Sequence, residues 1–463
     1  MIKSPRGTRD LLPPDTALWN FVEATVRDVF RAYNFHEIRT PIFESTELFA
    51  RGVGEETDIV SKEMFTWEDR ARSSVGGGSD AGSEFGRGFG GGSGDGAGFG
   101  DGSGDGGGRR QMLTLRPENT AGVVRAYIEH KLWDRGLNKL FYIGPQFRRE
   151  RPQKGRYRQF YQIGAEVIGP AASGSQSPAR DAEILELLAT LLDRVGVTGW
   201  TLELNSVGCP EDRAKFNEAL RLALAPVVGK MCADCQRRAV TNPLRVFDCK
   251  VPEDQPIIET LPTISQFLDE SCRAHYEEVK NILNAVGVPY VENQRLVRGL
   301  DYYTRTAFEF THGGLGAQNA ILGGGRYDGL SEALGGPAAP GIGFAIGEDR
   351  LVLSLMETAS AESVVRKPDV YIAPLGAGMN RHAARLAREL RRHELAANVV
   401  IELGDEAFRL KKSFEAADKM GARYILIVGE NEVAADAFAL KHLASGEQVT
   451  VPRGELAQRI LRT

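Results

Sequence analysis

From Leu18 to Tyr33 apolar residues recur at intervals of three and four: Leu18, Phe21, Val22, Val26, Val29, Phe30 and Tyr33. That spacing places them along one face of a helix and predicts a helix here with the face buried. The periodicity stops at Asn34, where FHEIRTPIFEST gathers β-type residues around Pro41. Proline has no N–H to give to a ladder, so the segment is expected at a strand edge or bend. A long helix feeding an edge strand is also a natural interface.

SKEMFTWEDR and RRQMLTLRPEN both read as strands, and between them residues 73–108 are half glycine. So few large side chains cannot offset the entropy of ordering that backbone, so the stretch is expected to be a flexible spacer in an overgrown hairpin connection. Its length costs little, because closure entropy grows only logarithmically. Its acidic residues (Asp80, Glu84, Asp95, Asp101 and Asp105) argue against a phosphate cradle.

Downstream the pattern predicts a helix over Glu118–His130, strands at LFYIGPQF and RQFYQIGAEVIG on either side of RRERPQKGRYR, and a helix over Asp181–Val195. From Pro210 to about Pro289 the chain turns mainly helical with proline-rich joints, then strand character returns in YVENQRLVRGLDYYTRTAFEF. That change reads as an inserted helical module. From Pro368 the elements alternate: PDVYIAPLG, HAARLARELRRH, ANVVIEL, FRLKKSFEAADKM and ARYILIVGE. Such alternation predicts a small three-layer α/β domain on a mainly parallel sheet, folding independently, with the linker between Ser354 and Lys367.

The 463 residues, at about 150 per domain, suggest roughly three domains. With 42% hydrophobic residues and a net charge of −5, the chain is neither disordered nor a global polycation, so any polyanion must be met by a local patch. No run approaches the eighteen or so apolar residues of a membrane span, and the opening MIKSPRGTRDLLPPD has no apolar stretch behind its basic residues. Five cysteines, an odd number, look like reduced thiols. The expected compartment is the cytoplasm, with no membrane partner.

The local patch is conspicuous. Arg148, Arg149, Arg151, Lys154, Arg156 and Arg158 crowd a turn made by Pro152 and Gly155, flanked by Phe147, Tyr157, Phe160 and Tyr161. Guanidinium forks match phosphate oxygens, so the hairpin suits a nucleotide phosphate or a nucleic-acid backbone; by composition alone a solvated basic turn fits equally. Three further clusters stand at TLRPENTAG, LVRGLDYYTRTAFEF and GGGRYDGL leading to GIGFAIGEDRL.

Together with RGTRDLLP, FRRERPQKGRYRQF and the C-terminal α/β unit, this ordered set resembles the histidyl-tRNA synthetase family of class II aminoacyl-tRNA synthetases along nearly the whole chain. The resemblance implies an α+β fold: an antiparallel-sheet catalytic core (1–208 and 294–357), a helical insertion (209–293) and an anticodon-binding α/β domain (368–463). It also implies a homodimer built on the first helix and the Pro41 strand. The implied reaction joins L-histidine to ATP, with Mg2+, as histidyl-adenylate, then moves the histidyl group to the 3′ end of histidine tRNA. By the same resemblance Arg148 grips the α-phosphate and Arg298 lies between it and the histidine carboxylate. Arg350 meets the γ-phosphate, and Arg156 assists on the pyrophosphate side. Glu118, Thr120 and Gln162 match positions holding the α-ammonium; Glu166 and Tyr303 match those facing the imidazole, with Tyr302 and Tyr327 close by. Strand alternation, taken alone, puts Tyr302 and Tyr303 on opposite faces.

The competing reading is a catalytically silent relative that senses histidine, such as the regulatory subunit of ATP phosphoribosyltransferase. The presence of Arg148, Arg298, Arg350 and the full tail favours the enzyme. One departure from the family pattern is Asp349, where Glu more usually precedes the arginine. Finally, Cys232 and Cys235 in C-A-D-C, with Cys249 fourteen residues on, are candidates for zinc; a fourth ligand from Cys209, Cys272 or His275 has no diagnostic spacing, and unligated thiols are the other reading.

Overall fold

The computed structural model describes residues 2–54, 57, 59–69, 111–153, 155–297, 302–313, 319–356, 364–393 and 399–461. The glycine-rich stretch 73–108, Lys154 and Arg298 lie outside them, as does most of the expected linker. The chain divides into two compact units, one reaching to Ser360 and one from Ala361, with Pro13–Leu18 grouped with the second.

Helix α1 (Asp15–Ala32), which belongs to the first unit from Trp19 on, buries Val22, Val26, Val29 and Phe30 completely. Each such side chain contributes about 1.5–3 kcal/mol of burial. Phe21, expected on that face, is 36% exposed. It stands at the border of the apolar stripe, which Val22 and Val26 already fill.

Strands β1 (His36–Glu37) and β2 (Phe43–Ser45) straddle Pro41 and join different sheets. Helix α2 (Thr46–Val53) follows β2. The hairpin prediction holds: β3 (Phe65–Asp69) pairs antiparallel with β4 (Gln111–Leu115), and Asp69 faces Gln111. β2 pairs on the other edge of β4, completing a three-stranded sheet. Arg116, just beyond, is buried and donates from Nε to Pro145 O (2.9 Å) and from Nη1 to Thr40 O (3.0 Å), tying the proline segment to the main sheet.

That main sheet has eight strands. After helix α3 (Thr120–Glu129) come β5 (Asn138–Phe147) and β6 (Gln159–Ile168), then helix α4 (Pro178–Val195) and β7 (Trp200–Ser206), a strand that the sequence analysis leaves unassigned. α4 starts as helix rules prescribe, with the Ser177 side chain accepting from Ala179 N and Pro178 in the first turn, and stops at Gly196 with φ +88°. The helical module follows: α5 (Pro210–Leu224), α6 (Ala233–Thr241), α7 (Gln255–Ile258) and α8 (Glu270–Val286), around Phe216, Leu220, Leu224, Val246, Ile258 and Leu261. The chain then returns through β8 (Val291–Glu292), β9 (Thr304–His312), β10 (Ala320–Arg326), helix α9 (Leu330–Ala333), β11 (Gly341–Gly347) and helix α10 (Glu348–Leu355).

The order is β1-β5-β6-β11-β10-β9-β7-β8. The six central strands pair antiparallel, and only the two-residue edge strands β1 and β8 run parallel to their neighbours. Beneath it Asp181 of α4 is fully buried, receiving Arg326 Nε (2.8 Å) and Thr306 Oγ1 (2.6 Å). A buried charge needs such a partner, so Arg326 in GGGRYDGL is a strut of the fold.

The second unit is a five-stranded sheet in the order β13-β12-β14-β15-β16: β12 (Val370–Pro374), β13 (Ile401–Leu403), β14 (Tyr424–Val428), β15 (Ala437–His442) and β16 (Gln448–Pro452). The predicted strands β12, β13 and β14 are parallel, with helices Met379–Arg392 and Leu410–Lys419 between them. β15 and β16 form an antiparallel hairpin the pattern had not assigned, so the sheet is half parallel and half antiparallel. Its turn carries Gly446 at φ +73°.

Candidate active site

On β6 the alternation of strand side chains puts Gln162, Gly164 and Glu166 on one face. The register then fixes what lies beside them. Across the sheet Tyr142, Gly164, Ala345, Gly323 and Glu309 form one row, and Glu166, Gly343, Gly325 and Ala307 the next. Small residues separate the functional ones, and the space they leave is used. A Cβ on Gly164 would lie 2.3 Å from the Tyr142 ring, and one on Gly343 would lie 1.7 Å from Glu166 Oε2.

Glu166 is fully buried. Its Oε1 accepts from Thr120 Oγ1 at 2.7 Å and its Oε2 from Tyr327 OH at 2.6 Å. Burial raises its pKa to about 8 against the opposing hydrogen bonds. Glu118 accepts from the amides of Thr120 (2.7 Å) and Ala121 (3.0 Å), so it holds the first turn of α3; burial pushes its pKa up, while those amides and Arg148 pull it down. Gln162 Oε1 is buried with no hydrogen-bond partner among the described residues.

Tyr302 and Tyr303 correct an expectation. Their rings are 4.8 Å apart, and Tyr302 lies 5.9 Å from Tyr327. β9 begins only at Thr304, so strand alternation does not apply to the pair. The structure thus brings Glu118, Thr120, Glu166, Tyr302, Tyr303 and Tyr327 into one polar cluster, while Tyr302 and Tyr303 also line two separate cavities on the side of the helical module. Tyr142, which also acts on Glu166 and Glu118, was hidden among ordinary strand aromatics in LFYIGPQF.

A cavity of about 250 Å³ adjoins it, lined by Arg148, Arg156, Arg350, Phe160, Gln162 and Glu309 over a floor of Gly323, Ala345 and Gly347. Arg148 and Arg156 of one hairpin and the distant Arg350 therefore share one hollow with Gln162. Arg148 donates from Nε to Pro117 O (2.9 Å) and lies 5.3 Å from the Phe160 ring centroid. Arg156 pairs with Glu150 at 2.9 Å. Burial lowers the pKa of Arg350, and the nearby Arg156 lowers it further, against Glu309 and Glu150. Glu150 and Asp349 also line the cavity, but Glu150 pairs with Arg156 and Asp349 with Arg9, so the guanidiniums gathered there can still meet an anion.

The opening residues strap this hairpin down. Arg158 N donates to Gly7 O (2.7 Å), and Arg9 lies 4.3 Å from the Tyr157 ring centroid and donates to Asp349 Oδ1 (2.7 Å). Asp349 Oδ2 accepts from Tyr161 N (3.1 Å). The short carboxylate before Arg350 is thus a tether between α10, β6 and the N-terminal segment.

Comparison with known proteins agrees with this geometry. The family model described as Histidyl-tRNA synthetase matches residues 105–351, and that described as Anticodon binding domain matches 369–463. A histidine-tRNA ligase of Koribacter versatilis (strain Ellin345) is 67% identical over 458 residues, covering 99% of this chain and 95% of its own. That of Solibacter usitatus (strain Ellin6076) is 54% identical, with 99% of each covered. The chain belongs to the histidyl-tRNA synthetase family. The crystal structure of apo S. aureus histidyl-tRNA synthetase superposes with a TM-score of 0.75 at 35% identity, covering 99% of this chain and 100% of that one. A Bacillus halodurans structure titled ATP phosphoribosyltransferase regulatory subunit/histidyl-tRNA synthetase, at 19% identity and a TM-score of 0.59 over 93% of this chain and 98% of its own, shares the fold.

Within a histidyl-tRNA synthetase fold, the glycine at 343 is a requirement of the pocket. Gly343→Ala is expected to displace the Glu166 carboxyl from Thr120 and Tyr327. Overpacking of this kind costs about 1–3 kcal/mol. A thermal melt reads that cost, and histidine-dependent pyrophosphate exchange should fall more than the melt alone explains.

Proposed function

We infer that the chain activates L-histidine with ATP to histidyl-adenylate and transfers the histidyl group to the 3′ end of histidine tRNA. The observation that carries this is the anion cavity of Arg148, Arg156 and Arg350 opening beside Gln162, on the same strand face as Glu166. In the first step a histidine carboxylate oxygen bonds to the α-phosphorus and the bond to the β-phosphate oxygen breaks, releasing pyrophosphate. The nucleophile brings its own negative charge, so the site needs positioning and cations more than a base.

Residue roles follow. Arg148 holds the α-phosphate, Arg350 and Arg156 the far phosphates, and Phe160 offers a flat face to the adenine. Arg298, outside the described residues, keeps the place between carboxylate and α-phosphate that the family resemblance gives it. Magnesium fits the hard oxygen donors: Glu309, on the cavity floor and acting on Arg350, would hold it, and bound there it neutralises phosphate charge. Gln162 Oε1 accepts from the α-ammonium, and Glu118 adds a carboxylate to the neighbouring cluster. Glu166 meets the imidazole between Tyr303, Tyr302 and Tyr327. The histidyl carbonyl is then attacked by a terminal ribose hydroxyl of the tRNA, with AMP leaving, while the second unit takes the anticodon.

A homodimer agrees with the surface. Ile42, Phe43, Trp67 and Met112 are exposed on or beside the three-stranded sheet, and the Phe43 and Trp67 ring centroids are 6.1 Å apart. Among the described residues no helix is long and apolar enough to cross a membrane.

The test is ATP–pyrophosphate exchange. Purified chain is expected to exchange label only when L-histidine is supplied, without tRNA. A folded protein that binds histidine yet exchanges nothing would instead be a sensor of the regulatory type.

A further inference from the structure

We propose that Cys232, Cys235, Cys249 and Asp254 form a closed structural zinc site within the helical module. These four residues come from three local turns. Cys232 precedes α6 and Cys235 stands in its first turn, Cys249 follows the 3₁₀ turn Pro243–Asp248, and Asp254 ends the 3₁₀ turn Pro252–Asp254. One ligand atom from each lies within 4.8 Å of all the others.

The spacing approaches that of ligands sharing one ion, with the Cys249–Asp254 pair drawn closer by a thiol-to-carboxylate hydrogen bond that metal binding would replace. Cys232 Sγ and Cys249 Sγ are 3.9 Å apart, and Cys249 Sγ is 3.2 Å from Asp254 Oδ2. A tetrahedral ion with bonds of about 2.3 Å to sulfur and about 2.0–2.2 Å to carboxylate oxygen separates its ligands by about 3.5–3.8 Å. A disulfide needs sulfurs about 2.05 Å apart, and all five cysteines are free. Four protein donors would leave no open position on a tetrahedral ion, and three soft sulfurs with one carboxylate select zinc over calcium or magnesium.

The surroundings orient the donors as an outer shell does. Cys235 N points to Cys232 Sγ and Val251 N to Cys249 Sγ, both at 3.4 Å, while Cys232 N donates to both Asp254 oxygens at 3.1 and 3.2 Å. A metal also answers a packing problem. Between Met231 and Ile258 the module has one nine-residue helix, the four-residue α7 and short 3₁₀ turns, and small modules of that kind commonly need a cross-link.

A second group, Cys209, Asp212, Asp269 and Cys272, is comparably compact. Both groups include helix caps, but this one offers only two sulfurs, and its Asp269 is exposed where Asp254 is buried. We assign it no ion. Cys209, Cys272 and His275, the fourth ligands considered from sequence, are thereby replaced by Asp254.

The experiment uses the full chain, reduced, stripped with chelator and reconstituted with zinc chloride or cobalt chloride. Mass-spectrometric metal analysis is expected to find about one zinc per chain. Cobalt should give the intense visible bands of a tetrahedral thiolate site together with a near-ultraviolet sulfur-to-metal band. Cys249→Ser and Asp254→Asn should each weaken zinc retention about 10-fold or more, while Cys272→Ser retains it. Should Cys249→Ser fail to fold, the cobalt spectrum of the unaltered chain decides. Reconstituted protein holding less than about a tenth of an ion per chain, a six-coordinate cobalt spectrum, undiminished zinc in Cys249→Ser, or a Cys232–Cys249 disulfide in reduced preparations overturns the site.

Discussion

Arg148→Ala is expected to slow histidine-dependent pyrophosphate exchange by about 10²–10³, equivalent to about 2.7–4 kcal/mol of transition-state stabilisation. Arg148 is already aimed before any nucleotide arrives: its Nε is held by Pro117 O, its guanidinium lies near the Phe160 ring, and Glu150 sits 3.9 Å from Nη1. It meets no reorganisation when charge develops on the phosphoryl oxygens. The loss should fall mainly on kcat, because the Glu166 carboxyl is held by Thr120 and Tyr327 rather than by Arg148. Arg148→Lys restores the charge without the planar fork, so it should recover only part of the rate. Single-turnover formation of the adenylate separates the two parameters; an Arg148→Ala enzyme with kcat intact and only a raised KM would place this arginine outside the reacting centre.

Glu166→Gln should raise the KM for histidine by about 10² or more, since a buried carboxyl that can give up its proton and accept from the ring N–H is replaced by an amide that cannot ionise. The pH dependence carries the finer test. With a pKa near 8 in the ligand-free pocket, Glu166 keeps its proton through neutral pH. A carboxylate accepts an imidazole N–H better than a carboxylic acid does. Histidine affinity should therefore climb by up to about tenfold per pH unit from pH 6.5 towards 8 and then level off, and Glu166→Gln should lose that slope. Stability moves the other way. The folded pKa lies above the unfolded value near 4.5, so burial of this carboxyl is fully tolerated below about pH 4.5 and is progressively penalised up to about pH 8. The glutamine variant should accordingly gain in melting temperature over the parent between pH 5 and 8, while binding histidine worse. A variant less stable at pH 8 as well as impaired would mean the carboxyl is buried as an anion.

Legibility from sequence followed the range of the interactions. The β3–β4 hairpin was readable across its long connection because alternation within each strand is local. The arginines were readable through ordered motifs, and the structure brings Arg148, Arg156 and Arg350 to one cavity. What escaped depends on partners distant along the chain. Tyr142 gains its meaning only when Gly164 is placed opposite it, and Arg326 is a strut only because Asp181 lies beneath the sheet. Alternation misled at Tyr302 and Tyr303 because the strand starts after them. Asp254 was invisible as a ligand because nothing about a lone aspartate five residues past a cysteine announces that a turn will swing it back.

Arg9 and Gly7 hold the basic hairpin from outside, one through Asp349 and Tyr157, the other through the Arg158 amide. The front of the polypeptide is therefore wired to nucleotide handling although it lies hundreds of positions from Arg350. Proteolytic nibbling during purification, or an affinity handle fused so as to tug on these first ten residues, would degrade ATP usage in a protein whose melting profile looked ordinary. Preparations of uneven specific activity should have their N-termini sequenced before their catalytic residues are blamed.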